Sequence, residues 1–144
     1  MLNLLGKFSS RKEQGRVLEQ AVARRALSPV FFTTFGIPDT IDGRFDAIAL
    51  HAWLALARLK ASGQDEAAQD LVDAVFIGFD EALRQQGVSD MGMGRRMKAL
   101  ADAFYGRLSA YGAAQTQEQF AEALARNVWR GADVDARARA LADY

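Results

Sequence analysis

The spacing of the apolar residues constrains the fold of this chain more than any other feature. Beyond Pro38 they recur every three or four positions, which places them on one face of a helix, whereas a strand would alternate at every second residue. The chain has 2 prolines, both before residue 40, and the rest is rich in alanine, leucine, arginine and glutamate, which favour helix. We therefore predict an all-α fold, a compact single-domain bundle of about five to seven helices.

Breaks in this pattern predict where the helices begin and end. The second long helix carries a broad apolar stripe and should be central, with Arg44, His51 and Arg58 on its opposite strip. In the third, Asp70 should lie away from the apolar face. The predicted segments are residues 11–27, one or two turns at 30–35, a helix capped by Thr40 or Asp42 and ended by Gly63, residues 65–86, a helix after Gly92, one with a Thr116–Gln119 capping box, and a short C-terminal helix.

The length of 144 residues, 50% of them apolar, suits one domain with its own core. We assign residues 11–144 to a single all-α domain and residues 1–10 to a flexible or surface-docked N-terminal segment. That segment would pack on the domain or touch a membrane surface weakly, because it combines apolar and basic side chains: Leu2, Leu4, Leu5, Phe8, Lys7, Arg11 and Lys12. It is too short for a signal-peptide core, and no apolar run of about 18 residues exists, so we expect a soluble cytoplasmic protein.

The charges sum to zero but alternate in sign along the chain. Four successive blocks carry net charges of +4 (1–36), −6 (37–91), +3 (92–111) and −1 (112–144). A nucleic-acid-binding protein would show a net basic stripe, so we predict no nucleic-acid partner. Separate faces for different partners, or helices that simply differ in charge, both fit the pattern.

Few residues could support catalysis or hold a metal. The chain has no cysteine and 1 histidine, which excludes disulfides, thiolate zinc sites and a cysteine nucleophile. His51 is followed at the helical spacings by Leu54 and Ala55, which are not ligands. We therefore predict no enzyme, no metal and no cofactor. The alternative is a haem-handling module in which His51 pairs with a methionine: Met91, Met93 or Met97.

A basic cluster begins the fourth long helix. Arg95, Arg96 and Lys98 lie in its first turns, where the helix dipole is already positive, so their placement costs stability unless something acidic meets them. That acidic group could belong to the same fold, at Asp90 or in the turn with Asp39 and Asp42, or to a partner or phospholipid headgroups. The Gly92-Met93-Gly94 segment before it lacks the preceding strand of a phosphate-binding loop.

Two blocks of sequence resemble the signatures of one known family. The first is Pro38-Asp39-Thr40-Ile41-Asp42-Gly43-Arg44-Phe45 with Leu50-His51 and Trp53, and the second runs from Asp90 to Lys98 and on through Ala103-Phe104-Tyr105-Gly106-Arg107. Both are similar to signatures of the ubiquinol-cytochrome c chaperone family. The resemblance covers about residues 25–112.

This resemblance implies an all-helical, non-enzymatic factor that assembles the cytochrome bc complex. Mitochondrial members bind newly made cytochrome b near the ribosome exit with a small partner protein. This chain resembles the short bacterial type, so the ribosome and the small partner stay open. The implied partner is cytochrome b or a cytochrome bc assembly intermediate, met in the cytoplasm or peripherally at the inner face of the cytoplasmic membrane.

The matched residues become candidates for partner binding: Asp39, Asp42, Arg44, His51, Trp53, Arg95, Arg96, Lys98, Tyr105 and Arg107. A chaperone for a membrane protein needs an exposed apolar surface rimmed by charge. Aromatic residues could supply it, or could simply form the core: Phe31, Phe32, Phe35, Trp53 and Tyr105. A further alternative is a peripheral membrane-surface adaptor without chaperone activity, using the N-terminal segment and the basic cluster.

Overall fold

A computed structural model describes residues 2–131 and 133–144, with the side chains of Leu2 and Asn3 left outside the description. Those residues contain helices and no β-strand, which confirms the all-α prediction. The predicted contact of the Leu2 side chain with the domain or with a membrane surface lies outside the described residues. The helices are α1 (Leu2–Ala26), α2 (Pro29–Thr33), α3 (Ile41–Ala61), α4 (Asp65–Gln85), α5 (Asp90–Ala113), α6 (Gln117–Val128) and α7 (Ala136–Asp143).

The helix ends follow the predicted capping chemistry. The Oγ1 atom of Thr40 accepts a hydrogen bond of 3.0 Å from the backbone N–H of Gly43, so Thr40 rather than Asp42 caps α3. After that helix Gly63 has φ +73°, a left-handed conformation that glycine adopts without strain. At α6 the Oγ1 atom of Thr116 accepts from the N–H of Gln119 at 3.1 Å, as the capping box requires.

Helix α1 is longer at its start than the predicted 11–27. It begins at Leu2, and residues 2–10 continue the same helix. Nothing in that stretch stops a helix: it has no proline, and its one glycine, Gly6, weakens a helix by about 1 kcal/mol without ending it.

The chain divides into two compact units, each built from two stretches of sequence. The first unit contains the chain up to Val22 and residues Leu54–Phe104; the second contains Ala23–Trp53 and Tyr105–Tyr144. The assignment of residues 11–144 to one domain stays a prediction.

In the first unit, α1 and α4 approach closely at Gly15. A β-carbon on Gly15 would collide with the backbone carbonyl oxygen of Asp70. The Asp70 side chain is buried, contrary to the prediction that it lies away from the packed face. Arg11 compensates this charge, because its Nη2 atom lies 2.9 Å from Oδ1 of Asp70.

The second unit has a continuous apolar core. Phe31 of α2 and Ile37 of the following loop are almost wholly buried in it, together with residues of α3, α5, α6 and α7. The indole N–H of Trp129 donates to the carbonyl oxygen of Gly36 at 3.1 Å and so ties the loop after α2 to the end of α6. This core holds the turn that carries the first block of predicted site residues.

Candidate functional site

The turn before α3 presents an exposed ion pair. The Nε atom of Arg44 donates to Oδ1 of Asp39 at 2.9 Å, and both side chains are more than half exposed. Gly43, next to Arg44 in sequence, is buried, and a β-carbon there would collide with the carbonyl oxygen of Pro38. Only glycine therefore lets the turn fold back onto the first residues of α3.

A shallow groove adjoins this ion pair. It has a volume of about 290 Å³ and combines apolar side chains with the exposed pair: Leu27, Pro29, Phe32, Thr33, Asp39 and Arg44. Leu27 is 43% exposed, and Phe32 packs partly against the core. The groove is thus an apolar surface with one charge of each sign at its edge, within the second unit.

His51 lies inside the second unit, although the sequence pattern placed it on the polar strip of its helix. Its side chain is 5% exposed. The Nδ1–H group donates to the carbonyl oxygen of Ala47 at 2.8 Å, and the ring of Phe31 meets the imidazole edge-on with centroids 4.5 Å apart. Burial, aided by the charge of Arg25, lowers the pKa of His51 and so favours the neutral form of the ring.

The Nε2 atom of His51 makes no hydrogen bond with any described residue, but it does not face an open site. The Phe31 ring at 4.5 Å and the Tyr144 ring at 5.6 Å pack around the imidazole. A haem iron would need the porphyrin plane beside that nitrogen. Of the proposed methionine ligands, Met93 is buried in the first unit. Over the described residues no group of three or more His, Cys, Asp or Glu side chains could hold a metal ion.

A buried ion pair joins α3 to α5 inside the second unit. The Nη2 atom of Arg107 lies 2.8 Å from Oδ1 of Asp46, whose side chain is 1% exposed. Arg130 adds a second guanidinium, 3.3 Å from Oδ2 of Asp46 and 3.8 Å from the exposed Asp42. Arg107 also stacks over the Phe45 ring at 5.0 Å. The candidate partner residue Arg107 is thus held in the interior.

The sequence analysis missed Asp46. Burial raises the pKa of its carboxyl group from 3.8 to about 6, against the opposing effect of Arg107 and Arg130. The signal was present, since Asp46 is an acidic residue directly after Phe45 in the apolar stripe of α3. Periodicity alone could not show which arginine would meet it.

The two aromatic candidates of the second unit differ in exposure. Trp53 is partly buried and packs on Tyr111 and Phe120, with ring centroids 5.6 and 5.3 Å apart. Tyr105 is half exposed. Of the aromatic residues predicted to offer a surface, Phe31 belongs wholly to the core, and Phe32 and Phe35 pack partly against it.

The basic cluster of α5 is exposed in the first unit. Lys98 pairs with Asp102 at 3.1 Å, whereas Arg95 and Arg96 form no ion pair with any described residue. The carboxylates considered as neighbours have other partners: Asp90 pairs with Arg84 at 2.8 Å, and Asp39 with Arg44. Met91, in the preceding turn, is 98% exposed.

These features define a class of protein: an all-α protein with exposed apolar and charged surfaces. Its sequence matches the family described as ubiquinol-cytochrome C chaperone over residues 33–144. The crystal structure of the Cbp3 homolog from Brucella abortus is similar, with a TM-score of 0.81 and 34% sequence identity over 99% of this chain and 82% of that chain. No curated protein matches the sequence. The chain belongs to the ubiquinol-cytochrome c chaperone family.

Proposed function

We propose that this protein is a non-enzymatic assembly chaperone for the cytochrome bc complex, and that it binds cytochrome b or an assembly intermediate. Membership of the chaperone family carries the proposal. It would act in the cytoplasm and meet its client at the inner face of the cytoplasmic membrane. Among the described residues, every helix is too short or too polar to span a bilayer.

The groove beside Asp39 and Arg44 is the surface we assign to an apolar client segment. Leu27, Pro29 and Phe32 offer apolar contact area. The exposed side chains of Asp39 and Arg44, which pair with each other, can instead bind polar groups of the client. A client segment outside the ribosome or bilayer exposes apolar surface to water. Binding in the groove would remove apolar surface of both partners from water. His51 and Arg107, which are buried, would support this surface from the interior rather than touch the client.

Arg95 and Arg96 form a second surface in this proposal. Both guanidinium groups are exposed, and the carboxylates near them in sequence are paired elsewhere, Asp90 with Arg84 and Asp102 with Lys98. We assign them to acidic groups of the client or of an assembly partner. Tyr105, with half of its side chain exposed, stays a candidate contact of the second unit.

The test is the amount of assembled ubiquinol-cytochrome c reductase in a strain that lacks this protein. Cytochrome b haem absorbance and reductase activity in membranes should both fall and should return with the wild-type chain. Leu27→Lys, which places a charge in the groove, should not restore them. Ile41→Lys is the matched control, because Ile41 is 64% exposed and does not line the groove.

Each outcome has a definite meaning. If deletion leaves both readings unchanged, the chaperone proposal is wrong for this chain. If Leu27→Lys restores assembly as well as Ile41→Lys does, the client does not use the groove. Arg95→Glu with Arg96→Glu tests the second surface in the same strain, and purified variants should keep the helical circular dichroism of the wild type.

The haem-handling alternative rests on one observation, the unpartnered Nε2 atom of His51. Its packing against Phe31 and Tyr144 makes it the weaker proposal. An absorption band that appears on adding haem and disappears in His51→Ala would favour it. The absence of a band would end it.

A further inference from the structure

The first turns of α1 expose a strip of large apolar side chains. Leu4, Leu5 and Phe8 are 59%, 68% and 60% exposed, respectively. At helical spacing these positions fall within about 100° of arc, so they share one side of the helix. Phe8 also borders a cavity of about 370 Å³ that reaches Ala74 and the half-exposed Ile77 of α4. The apolar surface therefore continues from α1 onto α4.

Contacts further along α1 hold this strip in place. Gly15 brings the helix against the backbone of α4 at Asp70, and Arg11 pairs with the Asp70 carboxylate. Glu66 adds a weaker contact to Arg11, 3.5 Å from Nη1. Because Arg11 is taken up in this way, it belongs to the attachment of α1 rather than to a free basic surface.

The charges on the first turns of α1 itself favour an anionic surface, whereas the acidic Asp73 lies across the cavity on α4. Residues 1–12 contain three basic residues and no acidic one, and with Arg11 paired the remaining cations are Lys7 and Lys12. Lys12 lies one turn beyond Phe8 on the same side, and Lys7 lies one turn beyond Leu4. Lysines beside an apolar strip can bury their methylene groups in the acyl boundary while the ammonium groups reach phosphate.

We infer that the first turns of α1 are a membrane-binding element that lies in the surface of an anionic phospholipid bilayer, with Leu4, Leu5 and Phe8 in the acyl boundary and Lys7 and Lys12 at the headgroups. This inference rests on the membrane location proposed above and names the element that binds the membrane. It does not depend on which client the protein binds. Failure of lipid binding would therefore leave the client test untouched, and failure of the client test would leave lipid binding untouched.

The experiment is cosedimentation of the full chain with lipid vesicles. The wild type should pellet with vesicles of equal parts phosphatidylcholine and phosphatidylglycerol, and much less with phosphatidylcholine alone. The triple variant Leu4→Gln, Leu5→Gln, Phe8→Gln should lose roughly tenfold or more in binding, because it removes the apolar contact. The double variant Lys7→Gln, Lys12→Gln should bind anionic vesicles roughly tenfold more weakly than the wild type. Added salt should likewise weaken vesicle binding by the wild type.

Two matched variants control for changes elsewhere. Ile41→Gln with Leu54→Gln removes exposed apolar side chains outside α1, and Arg58→Gln with Lys60→Gln removes two exposed cations; both should bind like the wild type. Absence of wild-type binding to anionic vesicles overturns the inference. So does a triple apolar variant that binds as well as the wild type, since lipid contact would then lie elsewhere or be purely electrostatic.

Discussion

At the scale of single residues, the Asp46 carboxylate is an acidic group held in the interior of the second unit. It is buried between two guanidinium groups, and burial still raises its pKa to about 6. Desolvation thus outweighs the attraction of Arg107 and Arg130 for the ionised form. His51 shows the same effect with the opposite sign, because burial favours its neutral form and lowers its pKa.

The raised pKa of Asp46 predicts a specific dependence of stability on pH. Between 3.8 and about 6 the folded state holds a proton on Asp46 that the unfolded chain releases. The contribution of Asp46 to the unfolding free energy should therefore increase as the pH falls from about 7 to about 5, by about 1 kcal/mol, and should be lost as the pH rises through 6. Chemical denaturation across this range measures it.

Asp46→Asn separates this effect from that of the other carboxylates. Asparagine does not titrate, so the difference in unfolding free energy between wild type and variant isolates Asp46. We expect the unfolding free energy of the wild type to rise relative to that of the variant as the pH falls from 7 to 5. A difference that stays constant between pH 5 and pH 7 would contradict the assignment.

At the scale of elements, the crossing of α1 and α4 depends on the absence of a side chain at one position. Gly15 lets the backbone of α1 approach the carbonyl group of Asp70 in α4 so closely that no β-carbon would fit between them. Arg11, one helical turn earlier, then reaches the buried Asp70 carboxylate. The same crossing determines how the exposed strip on the first turns of α1 is presented.

Gly15→Ala should destabilise this crossing. The added methyl group meets backbone rather than a movable side chain, so α1 and α4 must separate, at a cost of roughly 1–3 kcal/mol in unfolding free energy. Gly6→Ala is the matched control on the same helix, because its β-carbon has open space. It should raise stability by up to about 1 kcal/mol through helix propensity alone. Equal effects of the two substitutions would show that the close approach does not matter.

At the scale of the whole molecule, each unit joins stretches that are far apart in sequence. The second unit contains both tryptophans, Trp53 and Trp129, whereas helices of both units contribute to circular dichroism. Unfolding can therefore be followed in the second unit alone and in the whole chain with one sample. This matters because the single domain predicted over residues 11–144 implies cooperative unfolding.

Unfolding followed by tryptophan fluorescence and by circular dichroism should give the same midpoint. Phe104→Ala, which empties a fully buried site of the first unit, should lower both midpoints together, at a cost of about 3–5 kcal/mol. The fluorescence midpoint is the decisive reading, since its reporters lie outside the mutated unit. If it stays at the wild-type value while the dichroism transition becomes biphasic, the units are separate domains.

The sequence by itself determined the helical class, most helix ends and the family. Those depend on local chemistry: apolar spacing, the hydroxyl groups of Thr40 and Thr116, and glycine at Gly63. The family likeness depends on ordered motifs, which need no coordinates to be read. The starts of α1 and α5 were exceptions. Helix α1 begins at Leu2 and not at residue 11, and α5 begins at Asp90 and not after Gly92, because no local signal marks where an uninterrupted helix begins.

Only the tertiary structure decided which polar residues of the helices are interior. His51, Asp46 and Asp70 stand at positions where periodicity either assigned them to the polar side or gave no assignment. A polar group can be buried when a partner from elsewhere in the unit meets it, and Arg107 and Arg11 lie 61 and 59 residues from the carboxylates they bind. Such pairings arise from packing, so a pattern that extends over one helix cannot contain them.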